Sequence, residues 1–230
     1  MVSPDLSTTY LGMGLRSPLV VGAAAPLSED IEQLQALEDA GAAAVVLHSL
    51  FEEQIERDQL DLEAAAFQGT DSYAEALSYF PEPSLFHVGH DLYLSHIAEA
   101  RRRLSVPVIA SLNGFRPGSW VKVARRMQEA GASAIELNIY SVPTDPDLSS
   151  AAIENQVEEI VAEVRAEISV PLAVKLSPFF TNPGAMVKRL AAAGADGVVL
   201  FNRFYQPDIC LLYTSPSPRD ATLSRMPSSA

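Results

Sequence analysis

Residues 171–202 read PLAVKLSPFFTNPGAMVKRLAAAGADGVVLFN: an apolar run opened by Pro171, an amphipathic segment, the triplet Ala193-Gly194-Ala195, then a second apolar run. The unit occurs twice more. Pro18 opens PLVVGAA and Gly41 follows 23 residues later; Pro107 opens PVIASL and Gly131 follows after 24; Pro171 and Gly194 are again 23 apart. Proline at the first residue of a strand costs no ladder donor, and glycine just past a helix takes the left-handed conformation that stops it. Each unit therefore reads strand, helix, strand.

The predicted strands are Leu19 to Ala24, Ala43 to His48, Val108 to Leu112, Ala134 to Ile139, Leu172 to Leu176 and Val198 to Phe201. They are apolar without strict alternation, the pattern of strands buried on both faces. The intervening helices are amphipathic. In SEDIEQLQALEDA, Ser28 is the expected N-cap and Ile31, Leu34 and Leu37 share one side. Parallel strands joined by crossover helices follow, and periodicity alone leaves open a doubly wound sheet or most of an eight-stranded barrel. No G-x-G-x-x-G follows the first strand, which weakens a dinucleotide-binding reading.

The chain has 230 residues, 48% of them hydrophobic, enough for one large core. A net charge of −13 disfavours nucleic-acid and anionic-membrane partners. One cysteine, Cys210, makes neither an internal disulfide nor a cysteine-rich metal site. No apolar run has the length of a membrane span and MVSPDLSTTYLG lacks the regions of a signal peptide, so a cytoplasmic location is expected. The long connection from 49 to 105 contains the acidic stretch FEEQIERDQLDLEAAAF, read as a solvated helix face. From Leu211 the composition changes: LLYTSPSPRDATLSRMPSSA holds three prolines and five serines and carries +1, leaving −14 on residues 1 to 210. This segment resembles a translated sequencing adaptor. The expected organisation is a folded unit over 1–209 and a non-native, disordered tail over 210–230, with Cys210 at the junction.

Lys175 interrupts an apolar strand, where a buried ammonium costs several kcal/mol unless a polar partner meets it. Two uses are open: stabilising negative charge on a reduced cofactor ring, or forming a Schiff base. Asn138 and Asn202 lie near the ends of IELNIYS and GVVLFNRF, in similar registers, and would face one rim with Lys175. Amides offer donors and acceptors to the edge of a heterocycle without imposing charge. Ser141 opens the turn-rich loop SVPTDPDLSS and serves as a base only if a neighbour relays its proton. His48, His87 and His90 invite a metal reading, but Gly89 argues against one helix carrying the last two, and no Cys or acidic pattern completes a site.

GAAAPL, ASLNG, ELNIYSVPTDPD, VKLSPFF and VLFNRFYQPD occur in the order in which similar segments occur in the flavin-dependent dihydroorotate dehydrogenases. The sequence resembles that family over residues 1 to about 209. The resemblance implies a (β/α)8 TIM barrel, truncated after about six strands, that holds FMN at its C-terminal rim and oxidises dihydroorotate to orotate in pyrimidine synthesis. By similarity, Ala23 and Ala24 lie beside the flavin, Asn138 and Lys175 contact its ring, and Asn202 bridges ring and substrate. Ser141 stands in the position of the catalytic base, with Asn138, Asn202 and Thr144 toward the substrate.

The loop departs from the family's Cys-Pro-Asn or Ser-Pro-Asn, reading Ser141-Val142-Pro143-Thr144, and a second family asparagine aligns loosely with His87. The lysine often found after the second strand is replaced near His48 or Ser49. The resemblance implies no metal, a dihydroorotate-like small molecule, an unidentified electron acceptor and a homodimer for the complete protein. The alternatives are a non-catalytic or differently specific flavin-binding homologue, and a Schiff-base lyase using Lys175. The family's phosphate loops follow strands seven and eight, which this sequence does not contain, so an aggregation-prone chain with weak FMN binding is expected.

Overall fold

Six parallel strands, β3 (Val20–Val21), β4 (Ala44–Phe51), β5 (Val108–Asn113), β6 (Ala134–Asn138), β7 (Leu172–Leu176) and β8 (Gly197–Leu200), lie side by side in chain order. A doubly wound sheet reverses its order at a switch point, whereas sequential order with a helix in each crossover is the arrangement of a (β/α)8 barrel. The six strands among the described residues form the larger part of a barrel of this type. The computed structural model describes residues 4–51, 88–114, 120–140, 143 and 145–202. Ser141, Thr144, His87, Cys210 and the serine-proline tail lie outside the described residues.

Helices α1 (Ala25–Ser28) and α2 (Ile31–Asp39) follow β3; α3 (Val88–Arg103) precedes β5; α4 (Trp120–Glu129), α5 (Ser150–Glu167) and α6 (Pro183–Ala192) follow β5, β6 and β7. The glycines of the three repeats, Gly41, Gly131 and Gly194, have φ of 113°, 101° and 104° and end α2, α4 and α6. An L-residue there would be strained, which is why glycine recurs at this point.

Alternation along each strand divides the interior into two layers. Val45, Leu47, Val108, Ala110, Leu112, Ile135, Leu137, Val174 and Leu176 face the helices and form the main core. Val46, Ile109, Ala134 and Ala173 face the barrel axis. That inner layer is closed from below by an antiparallel hairpin, β1 (Thr8–Tyr10) and β2 (Met13–Leu15), which the sequence reading did not anticipate. Its turn holds Leu11 at φ 51°, and the leucine is buried against the inner layer. Packing offsets the cost of that backbone conformation. A Cβ on Gly197 would come within 2.7 Å of Leu11 Cδ2, so β8 accepts the hairpin because it has no side chain there.

Two expectations are corrected. Ser28 does not cap α2; Asp30 does, accepting from Glu32 N at 2.9 Å. Ser28 is instead fully buried, its Oγ donating to the Ala24 carbonyl at 3.0 Å and accepting from His48 N at 2.7 Å. The first barrel strand stops at Val21 because the chain turns into α1 from Ala25, and the second runs three residues beyond His48 to Phe51. Gly89 and His90 lie in the first turn of α3, which begins at Val88, while His87, the other histidine of that reading, lies outside the described residues. No helix among the described residues is long and apolar enough to cross a membrane.

Candidate functional site at the strand ends

Asn138 ends β6 and is paired in register with Lys175 of β7, while Asn202 lies two residues past β8 and continues its ladder, donating its N–H to the Leu176 carbonyl at 2.7 Å. Asn202 Nδ2 also donates to Asn138 Oδ1 at 2.7 Å, so a bond between the first and third of three adjacent strand ends crosses above the second. Lys175 alternates with Ala173 and so faces the barrel axis. The three residues named from the sequence thus meet on one rim. Ala23, just past β3 at the other end of the sheet, packs against the inner layer. Ala24 lies just outside it, its N–H donating to the Gly22 carbonyl at 2.8 Å and its own carbonyl accepting from Leu27 N at 3.0 Å.

Glu136 was not singled out from the sequence. It lies one inward position deeper than Asn138, is 3% exposed, and has Oε1 3.6 Å from Lys175 Nζ. That separation is an ion pair longer than a hydrogen bond, and Oε1 has no hydrogen-bond partner among the described residues. Burial pushes the Glu136 carboxyl above the usual carboxylate range, and the nearby Lys175 charge opposes that shift. The signal in the sequence was an acid two residues before Asn138 in AIELN, on the same face of the strand by the period of two.

On the other side of the rim, β4 carries a bulge: Val46 pairs with Ile109 but Ser49 pairs with Ser111, three residues against two. Ser49 faces inward and shares a 2.8 Å hydrogen bond with the fully buried Ser111. His48 turns the other way, toward α3, packing edge-on against Tyr93 with ring centroids 5.1 Å apart and near His96 at 5.6 Å. Between the two positions weighed for the family lysine, Ser49 is the one that faces the barrel axis.

The Tyr93 hydroxyl fills the gap the bulge leaves in the ladder, accepting from Ser111 N at 3.1 Å and donating to the His48 carbonyl at 2.8 Å. Burial holds the Tyr93 proton well above the ordinary phenol range. Burial lowers the His48 imidazole, with His96 adding to the shift, and leaves its Nδ1 without a partner among the described residues. No cluster of three metal-ligating side chains occurs among the described residues.

Among the described residues the inner rim thus offers the Lys175 ammonium, the linked amides of Asn138 and Asn202, the Asn113 amide in register with Asn138, and neutral hydroxyls. This donor set fits the polar edge of a flavin ring, whose alternating donors and acceptors match amides and whose added charge matches a cation.

The dihydroorotate dehydrogenase family profile matches residues 84–218. The chain is 32% identical over 221 residues to the catalytic subunit of dihydroorotate dehydrogenase B (NAD(+)) of Thermoplasma volcanium, an alignment covering 92% of this chain and 66% of that protein. The corresponding subunit of Thermoplasma acidophilum is 35% identical over 207 residues, covering 86% and 62%. Dihydroorotate dehydrogenase A (fumarate) of Lacticaseibacillus paracasei is 34% identical over 109 residues, covering 43% and 35%. The chain spans just under two-thirds of the length of the first two relatives. With more than half of its residues matched by the family profile, the chain belongs to the dihydroorotate dehydrogenase family.

Proposed function

We propose that residues 1–209 are the larger part of an FMN-dependent oxidoreductase that converts dihydroorotate, or a related dihydropyrimidine, to the unsaturated ring in pyrimidine synthesis. The observation that carries this reading is the convergence of Asn138, Lys175 and Asn202 on one rim of a parallel barrel in a chain of this family. FMN would supply the hydride acceptor. Lys175 would hold the negative side of the ring, Asn138 its edge, and Asn202 would reach both ring and substrate from its bond to Asn138. Ala23 and the backbone at Ala24 would line the far side. Ser141 would take the substrate proton and Thr144 would lie against the substrate.

The names of the Thermoplasma relatives support a catalytic subunit that passes electrons toward NAD(+) through a partner subunit. A cytoplasmic location is carried over from the sequence reading and a homodimer from the family resemblance. A Schiff-base role for Lys175 fits less well: a carboxyl group 3.6 Å from Nζ suits an ammonium, and a Schiff-base amine must be neutral to attack.

The test is anaerobic mixing of FMN-loaded protein with dihydroorotate. The flavin colour bleaches in the parent, and in Ser141→Ala it bleaches at least a hundredfold more slowly with flavin content unchanged, the usual worth of a general base. Flavin that stays oxidised would favour a differently specific or non-catalytic homologue, and borohydride trapping of a carbonyl compound on Lys175 would favour the lyase.

A further inference from the structure

We propose that Glu136 is a positioning residue for Lys175, anchoring the ammonium from the deeper layer of the barrel and setting how much of its charge a ligand at the rim receives. The inference rests on the placement of FMN proposed above.

Lys175 stands level with Asn138 in register, and Glu136 lies two residues earlier on β6, about 7 Å deeper along the strand. The Lys175 side chain nevertheless has its Nζ 3.6 Å from Glu136 Oε1, with 18% of that side chain exposed against 4% for Glu136. The ammonium is therefore held between a buried carboxyl group below and the open rim above. A buried carboxylate with a single cationic neighbour is a poor stabilising device, since its desolvation offsets most of the attraction. Its place is better explained by what it does to the lysine.

The surroundings make the pair sensitive. A cavity of about 410 Å³ lies beside it, lined by Glu136 together with Tyr10, Val20, Val46 and Val199. Among the described residues, three ionisable groups on three elements feel the Glu136 charge: Lys175 on β7, Tyr10 on β1 and Tyr93 on α3. The two tyrosines are held in their neutral forms, each raised mainly by burial and further by the Glu136 charge, which leaves Lys175 as the group that answers it. When Glu136 is ionised, part of the ammonium's field ends on the carboxylate. When it is protonated, the whole field faces the rim.

Two measurements on the full chain test this. In FMN-loaded protein, Glu136→Gln keeps the shape and removes the negative charge. It raises the midpoint potential of bound FMN by about 30 mV, a tenfold gain in preference for the reduced cofactor, and Glu136→Asp returns most of the shift. A glutamate that only filled space would leave the potential where it is when Gln keeps the shape, and a potential that falls or does not move overturns the inference.

In flavin-free protein carrying ¹³C-labelled glutamate, the Glu136 carboxyl titrates above ordinary glutamates, and Lys175→Met moves its midpoint further up. An unmoved midpoint overturns the inference even where Glu136→Gln does not fold. FMN-loaded protein whose flavin stays oxidised with dihydroorotate refutes the proposed function, whereas FMN-loaded protein whose potential ignores Glu136→Gln refutes the role of Glu136 alone.

Discussion

Replacing Tyr93 by Phe removes one oxygen from a residue that is 4% exposed and leaves the ring on His48 in place. That oxygen replaces a missing step of the sheet: it accepts from Ser111 N at 3.1 Å and donates to the His48 carbonyl at 2.8 Å, where the bulge in β4 separates the two strands. Without it, the fully buried Ser111 has an N–H group with no acceptor, and each buried group left unpaired costs about 1–3 kcal/mol. With the N–H as the dominant loss and the carbonyl as the smaller one, Tyr93→Phe should destabilise by about 2–3 kcal/mol. For a chain of this size that lowers the melting temperature by roughly 4–12 °C.

The assay is denaturant unfolding followed by circular dichroism, together with hydrogen exchange at the Ser111 amide, whose protection should fall selectively. Tyr93→Leu, which also removes the ring, should cost more. A change below about 0.5 kcal/mol with Ser111 protection intact would refute the claim that the hydroxyl completes the ladder.

The other expected outcomes follow from separate parts of the molecule. Gly194→Ala should destabilise more than Gly41→Ala in denaturant unfolding: both positions have positive φ, costing about 1–2 kcal/mol, but only at Gly194 would the new Cβ meet Arg165 Cγ, at 2.5 Å. His48, whose folded imidazole is lowered from 6.5, binds its proton later than in the unfolded chain. Its folded state therefore loses stability as pH falls below 6.5, until the folded group itself protonates, and His48→Leu should flatten that segment of the stability–pH curve. Glu136 has the opposite sign: its raised carboxyl adds stability as pH falls through its folded midpoint toward 4.5, and Glu136→Gln should remove that gain. Asn202→Ala, which strips Asn138 Oδ1 of its 2.7 Å donor, should weaken FMN binding up to about tenfold in a fluorescence titration.

The repeat of proline, strand, helix and glycine was legible because each element has its own backbone requirement, and the structure places the three repeat glycines where those requirements fall. Asn138, Lys175 and Asn202 were legible because strands in one register put equivalent residues on one rim. Other features depend on tertiary contacts. The β1–β2 hairpin has strands of three residues around Leu11, too short for a period, and forms because its leucine fills the barrel floor. The bulge at Leu47 and His48 leaves no local mark; it is completed by a tyrosine 45 residues along the chain. Ser28 reads as a cap from its position before a helix, yet the short α1 carries it into the core and passes the capping task to Asp30. Glu136 was readable, as an acid in phase with Asn138, but an acid at the end of an apolar strand looks like the strand's polar exit until its burial is seen.

The most direct test of the central claim is a crystal structure of the protein with FMN bound. The account predicts the polar edge of the ring within hydrogen-bond reach of Asn138, Lys175 and Asn202 at the ends of β6, β7 and β8. FMN seated away from those three side chains would contradict it.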